Sequence, residues 1–112
     1  PLTAATAINP SEQCSLLLAQ AYQNIGKLKE AIIEYKKIDI IQSQNKMIPF
    51  NLGLCLLNTG SNIDAIEAFK IAIKLDESFL PAWGNIGTAL INEGRHQEAL
   101  FATRTVTSQS AT

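Results

Sequence analysis

The sequence predicts an all-α protein, an α-solenoid of three antiparallel helix pairs. Three observations lead to this prediction. The same residue types return every 34 residues without a gap, one glycine per repeat follows a helical stretch, and the apolar residues between these glycines have helical spacing. A fixed period of this length is typical of repeat proteins, in which each unit buries its apolar face against its neighbours.

Residues 46–79 set the register of the repeat. The residue types of Asn58, Gly60 and Ala65 in this stretch recur 34 positions earlier and 34 positions later. Those matches are Asn24, Gly26, Ala31, Asn92, Gly94 and Ala99. Agreement in so many columns is not chance, so the chain is predicted to be a repeat array.

The columns resemble the tetratricopeptide repeat, a 34-residue helix–turn–helix unit with Leu, Gly and Tyr positions on its first helix and Ala and aromatic positions on its second. The residues that carry the resemblance are Leu18, Ala19, Tyr22, Ala31, Tyr35 and Ile38 in the first copy, Leu52, Gly53, Leu56, Ala65, Phe69 and Ala72 in the second, and Trp83, Ile86, Gly87, Leu90 and Ala99 in the third.

The resemblance implies a right-handed superhelix with repeats at residues 12–45, 46–79 and 80–112. Residues 1–11 are expected to be an N-terminal tail or the remnant of a preceding repeat. The family's closing Pro is replaced by Ser43 and Glu77, and Pro49 stands where a bulky residue is usual. These departures are local and leave the repeat assignment intact.

In the first pair, Ser11 is predicted to cap a helix over 12–24 that carries acidic Glu12 near its positive end. Gly26 is predicted to end this helix in the left-handed conformation. Apolar residues at helical spacing then predict a second helix over 29–41. Gln42 to Asn45 form a polar break.

The second and third pairs repeat this design. Pro49 and Pro81 are expected in the first turns of their helices, where the missing N–H is harmless. Ser61 followed by Asp64 predicts a short capping box for a helix that ends near residue 75. The last helix is predicted over 97–106, which gives six helices and no strands. Thr103, Thr107 and Gln109 make the last copy polar, which we interpret as the C-terminal end of the array.

Composition excludes several classes of function. A net charge of −1 means that the chain lacks the excess of basic residues expected of a nucleic-acid-binding protein. No apolar run is long enough for membrane insertion. Cys14 and Cys55 suggest no disulfide framework, and Cys55 is predicted to be a small buried thiol. A cytoplasmic location is the resulting expectation, although the chain begins with Pro1 and is therefore expected to be processed or cut from a longer protein.

No catalytic, metal or cofactor site is predicted. His96 is the only histidine, and a solvated turn residue is the expected role because no second ligand lies at metal-binding spacing. Glu30, Asp64 and Glu98 recur once per repeat near helix N-termini, where they complement the helix dipole. The chain is therefore predicted not to be an enzyme.

The resemblance implies that the first helix of each repeat lines a concave face that binds peptides. The predicted peptide-binding residues are Gln20, Asn24, Met47, Phe50, Asn51, Leu54, Asn58, Asn85, Thr88 and Asn92, with Gln13, Leu16, Leu17, Gly84 and Ile91 on the same face. Relatives that bind chaperone C-termini use basic residues in columns that hold Leu16, Pro81 and Asn85 here, so that ligand is not predicted.

Two features of this face leave alternatives open. Asn51 and Asn85 form a two-rung ladder that suits an extended peptide backbone, or simply reflect how common Asn is in this column. Met47, Phe50 and Leu54 form an apolar patch that marks a partner, or a patch that a neighbouring helix or the N-terminal tail covers.

The sequence therefore predicts a non-enzymatic module that binds a protein or peptide partner in a preformed groove. One alternative is structural self-assembly into a homo-oligomer. Another is a targeting module cut from a larger enzyme, such as a glycosyltransferase.

Overall fold

The chain folds as an α-solenoid. The computed structural model describes the backbone of residues 9–110 and the side chains of residues 9–106. Over that range there is no strand, and the seven helices are α1 (Pro10–Asn24), α2 (Leu28–Lys36), α3 (Ile40–Ser43), α4 (Met47–Asn58), α5 (Asn62–Leu75), α6 (Leu80–Asn92) and α7 (His96–Ser110). The pairs are α1 with α2, α4 with α5 and α6 with α7, while α2 also packs on α4 and α5 on α6.

The first helix of every pair ends in the same hydrogen-bonded turn. Gly26, Gly60 and Gly94 have φ of 85°, 89° and 76°. In each turn, the N–H of the residue after the glycine donates across 2.8 Å to the carbonyl oxygen five residues before it, at Tyr22, Leu56 and Leu90. This is the Schellman arrangement, which a left-handed glycine makes possible. The predicted helix ends at these glycines are confirmed.

The small residues of the repeat lie where the two helices of a pair meet. Ala31 and Ala65 are fully buried, and Ala99 is nearly so. A Cβ atom built on Gly53 would lie 2.6 Å from Cε1 of Phe69 on α5. Phe69 therefore occupies the space that any side chain at residue 53 would need.

The predicted second helix of the first pair is too long. α2 ends at Lys36, and the short helix α3 follows after a break, so the prediction of six helices is wrong by one. At the break, the Asp39 N–H donates to Glu12 Oε2 across 2.7 Å, and the Asp39 carboxylate accepts from the Gln42 N–H across 3.0 Å. One residue thus ties the break to α1 and also caps α3.

Two predicted caps are also wrong. Asn9, rather than Ser11, caps α1: its side chain accepts from the Glu12 N–H across 2.8 Å, and its own N–H donates to Glu12 Oε1 across 3.2 Å. Pro10 then occupies the first helical turn, where a missing N–H is tolerated. Ser61 is the N-cap residue of α5 but makes no side-chain cap. Its backbone N–H donates to the Leu56 carbonyl and is therefore not available for the reciprocal bond of the predicted capping box.

The predicted positions of the prolines and the predicted burial of Cys55 agree with the structure. Pro49 and Pro81 lie in the first turns of α4 and α6, as predicted. Cys55 is buried and Cys14 is exposed, and both thiols are free. Of the predicted N-terminal segment only residues 9–11 are described, and the side chains of Thr107 and Gln109 lie outside the described residues.

The contact at Gly53 predicts opposite effects for two glycine substitutions. Gly53→Ala should lower the free energy of unfolding by about 1–3 kcal/mol, because the new methyl group overlaps the Phe69 ring. Gly84→Ala is the matched control, since a Cβ atom there meets nothing within 4 Å. The control should be neutral or stabilise α6 by up to about 1 kcal/mol through helix propensity. Urea unfolding of both variants tests this, and equal stabilities would show that Phe69 can move aside.

Candidate functional site

The residues predicted to bind peptide are all at least partly accessible. None of the fifteen residues on this face, called here the first-helix face, is classed as buried. Met47 and Ile91 are 41% and 53% exposed, and Phe50, Asn51 and Leu54 are half-buried. By contrast, Leu52, Ile86 and Ala89 on the same helices are buried. α4 and α6 therefore each present one side to solvent and one side to the core.

Phe50 is the centre of an aromatic cluster. Its ring lies 5.0 Å from the ring of Phe79 in an edge-to-face arrangement and 5.8 Å from that of Phe69. Such geometry stabilises aromatic pairs by about 0.5–1.5 kcal/mol beyond burial. Phe50 is consequently held by two ring contacts, and part of its side chain remains accessible to solvent.

A charged clamp holds Phe79 in this cluster. Lys46 Nζ lies 4.7 Å from the Phe79 ring centroid and forms an ion pair with Asp76. The Asp76 carboxylate also accepts from the Ser78 hydroxyl at 2.8 Å and the Ser78 N–H at 3.1 Å. The hydrogen bonds from Lys46 and then Ser78 lower the pKa of Asp76 from 3.8 to about 2. Sequence reasoning missed Phe79, Lys46 and Asp76, since they come from two loops that only the fold brings together.

A buried tyrosine, Tyr35, lies near Asn51. The Tyr35 hydroxyl donates to Gln23 Oε1 across 2.6 Å. Burial, and to a smaller extent the proximity of Cys55, raise the pKa of Tyr35 to about 12, while Asn51 acts in the opposite direction. The phenol is therefore neutral at physiological pH, and its hydrogen bond to Gln23 joins α2 to α1. The ladder expected of Asn51 and Asn85 stays a prediction.

Other predicted residues make contacts within the chain. Asn85 Nδ2 donates to the Pro81 carbonyl across 3.0 Å, which occupies one of its two amide hydrogens. Asn92 Nδ2 donates to Asn62 Oδ1 across 3.2 Å. Asn62 is at the start of α5, so Asn92 joins the second and third repeats. Gln20, Asn24, Asn58 and Thr88 are exposed, and their role in binding stays a prediction.

A second groove lies on the opposite side of α6. An open, mainly apolar cavity of about 450 Å³ separates α5 from α7. Its apolar lining comprises Ile73, Trp83, Ile86, Leu90, Phe101 and Ala102. Phe101 on its rim is 69% exposed. The α5–α7 groove was not predicted from the sequence. One indication was present, because Phe101 is aromatic in a column that holds Ile33 and Glu67 in the other repeats.

The described residues contain no cluster of three or more His, Cys, Asp or Glu side chains suited to a metal. His96 is exposed at the start of α7. Within residues 9–110, no helix has the length and apolar content needed to cross a membrane.

Comparison with known proteins decides the family. The family model described as tetratricopeptide repeat matches residues 13–43, 50–79 and 80–110. This chain belongs to the tetratricopeptide repeat family. The match covers all three helix pairs, as the columns of the sequence predict. A search of curated proteins finds no match.

Solved tetratricopeptide repeat structures share the fold. A crystal structure of MamA is 23% identical with a TM-score of 0.82, over 90% of this chain and 59% of that chain. The structure of MamA AMB-1 is 25% identical with a TM-score of 0.84, over 91% of this chain and 56% of that chain. This chain thus spans between half and two thirds of the length of these two proteins.

A third structure contains a ligand. The second TPR of Spaghetti (RPAP3), bound to the HSP90 peptide SRMEEVD, is 25% identical with a TM-score of 0.75. The match covers 87% of this chain and 90% of that one. A TPR domain of similar size therefore binds a peptide in that protein.

The clamp on Phe79 predicts a pH dependence. Because the pKa of Asp76 is depressed in the folded chain, its stabilising contribution is complete above pH about 4 and is lost as the pH falls from about 4 towards 2. We expect the NMR titration of the Asp76 carboxyl carbon to have its midpoint near pH 2. Lys46→Met should raise that midpoint towards the ordinary value. A midpoint near 4 in the unsubstituted chain would mean that the clamp is open in solution.

Proposed function

We propose that this chain is a non-enzymatic binding module that holds a segment of a partner protein along the first-helix face. The apolar patch of Met47, Phe50 and Leu54 carries the proposal. It lies on the central helix α4, so a ligand along the array would screen it from water most completely. Hot spots concentrate in such central, desolvated positions.

The character of the face defines the ligand class. None of the residues assigned to the first-helix face carries a charge, and the nearby Lys46 is paired with Asp76. A highly charged ligand would therefore lose hydration without finding a counter-charge. We infer that the partner segment is uncharged, with an aliphatic or aromatic residue for the patch and backbone groups for Asn51 and Asn85.

This ligand class differs from the acidic peptide SRMEEVD bound by the RPAP3 domain. The columns in which chaperone-binding relatives carry basic residues hold Leu16, Pro81 and Asn85. The two arrays share their overall fold, whereas the first-helix face of this chain has no basic residue to pair with the acidic side chains of that peptide. We expect SRMEEVD to bind weakly or not at all.

We predict that Phe50→Ala weakens binding of a partner segment. A peptide selected from a random phage-displayed library against the full chain would be titrated by calorimetry. Loss of the aromatic anchor should cost about 2 kcal/mol, roughly thirtyfold in dissociation constant. Met47→Ala should weaken binding by a smaller factor, and Asn85→Ala by about 1 kcal/mol for a neutral hydrogen bond.

Phe101→Ala is the matched control, because it removes an exposed aromatic outside the first-helix face. It should leave affinity unchanged. Because Phe50 also packs on Phe69 and Phe79, circular dichroism must show that Phe50→Ala is folded at the titration temperature. Met47→Ala repeats the test without removing an aromatic ring from the cluster. Affinity lost in Phe101→Ala alone would move the ligand to the α5–α7 groove and refute the proposal.

A further inference from the structure

The α5–α7 groove does not owe its exposure to an end of the array. Its rim residue Phe101 belongs to a column that also holds Ile33 on α2 and Glu67 on α5. The helix α5 packs on both α4 and α6, and the Glu67 side chain is still 67% exposed. Ile33 is 57% exposed. This column therefore faces solvent in every repeat, whichever helices lie beside it.

The third repeat carries aromatic residues at positions of the groove where the central repeat does not. Phe101 stands in the column of Glu67, and Trp83 stands in the column of Pro49. Pro49 is fully buried, whereas Trp83 is partly exposed and lines the groove. Together with the aliphatic lining, the two rings form a contiguous apolar surface, which in a soluble protein marks a binding site.

The size of the groove suits a small molecule better than a protein surface. Its volume of about 450 Å³ lies within the range of about 300–1,000 Å³ that is typical of small-molecule sites, and such sites are also mainly apolar with a few polar groups. Nine of the described residues line it, whereas a standard protein–protein interface involves about 20–30 residues on each side.

Lys70 brings to the groove a positive charge that the chain itself engages only weakly. Its Nζ atom lies 3.8 Å from Glu67 Oε2, and the two side chains are 62% and 67% exposed. That distance is too long for a hydrogen bond, and an exposed ion pair contributes little. Lys70 can therefore turn its ammonium group to a ligand in the groove at little cost.

The negative charge on the groove wall is already paired. Glu98 lines the groove, and its carboxylate accepts hydrogen bonds from Arg95 Nε and Nη2, both across 2.7 Å. These bonds lower the pKa of Glu98, which keeps the carboxylate ionised and bound to Arg95. The charge that the groove offers to a ligand is thus the positive charge of Lys70.

The groove has an aromatic end and a charged end. A smaller cavity of about 110 Å³ extends it towards Arg95. Lys70 and Glu98 line both cavities. Trp83 and Phe101 line only the larger cavity, and Arg95 lines only the smaller one. A ligand that matches this arrangement has an apolar body at one end and an anionic group near Lys70.

We propose that the α5–α7 groove binds an amphipathic organic acid, a small molecule with an aromatic body and a carboxylate. The aromatic body packs on Trp83 and Phe101 in the offset or edge-to-face geometry that rings prefer, and the carboxylate faces Lys70 Nζ. A cationic ligand would be repelled by Lys70 without gaining Glu98, which Arg95 holds. This site is separate from the first-helix face and does not depend on the function proposed there.

Fluorescence of Trp83 tests whether the groove is occupied. Trp83 is the only tryptophan of the chain, and its indole N–H is buried without a hydrogen-bond partner among the described residues. The probe is 8-anilinonaphthalene-1-sulfonate, whose sulfonate stands in for the carboxylate. Excitation of Trp83 should transfer energy to the bound dye, and the Trp83 emission should fall to a plateau at one dye per chain.

Two lysine variants test the role of charge. Lys70→Met should raise the dissociation constant of the dye about fivefold, the effect of an exposed ion pair of about 1 kcal/mol. Binding of N-phenyl-1-naphthylamine, which has the same rings without the sulfonate, should not change. Lys74→Met is the matched control, because Lys74 is exposed on the same helix and does not line the groove. It should alter neither affinity.

Phe101→Glu tests the aromatic end, because it gives the third repeat the residue that the central repeat carries in this column. It should weaken dye binding at least about tenfold by placing a carboxylate beside the anionic dye. Ile33→Glu is the matched control, with the same new residue in the same column on α2, and should bind the dye normally. Both replaced side chains are exposed, so circular dichroism should show unchanged helix content.

Three results would overturn the proposal. Dye that binds without quenching Trp83, or no binding at all, would mean that the groove is not a site for such ligands. Equal affinities of Lys70→Met and Lys74→Met for the dye would refute the anionic ligand class. Dye binding that survives Phe101→Glu but is lost in Met47→Ala would place the dye on the first-helix face instead.

Discussion

The close approach of α4 and α5 depends on the absence of a side chain at Gly53. The Phe69 ring fills the space where a Cβ atom would stand, and the same ring contacts Phe50 on the opposite edge of the cluster. Phe50 in turn contacts Phe79, which Lys46 and Asp76 hold in place. The position of the proposed binding patch thus follows from one glycine in the core.

The same side chains serve both the fold and the exposed face. Asn85 lies on the first-helix face and donates to the Pro81 carbonyl, and Asn92 joins two repeats through Asn62. A residue fixed by such contacts loses little conformational freedom when a ligand binds. These contacts hold side chains of the proposed binding face in place, so we expect its specificity to come from the side chains that its helices carry.

The first-helix face and the α5–α7 groove lie on different sides of α6. The first-helix face is neutral and combines amides with a small apolar patch, which suits an uncharged segment. The α5–α7 groove is mainly apolar and has the exposed ring of Phe101 on its rim. Because the two surfaces share no residue, a substitution in one can be studied without altering the side chains of the other.

The sequence by itself determined the repeat, the helix pairs and the left-handed turns at Gly26, Gly60 and Gly94, because these features depend on residue type at a fixed local spacing. It also indicated the first-helix face, through resemblance to the family. Tertiary structure decided the break before α3, where Asp39 meets Glu12, the cluster that holds Phe50, and the groove between α5 and α7. Those features depend on which residues from distant parts of the chain come into contact. A periodic pattern cannot show this, because it assigns the same environment to every copy of the repeat.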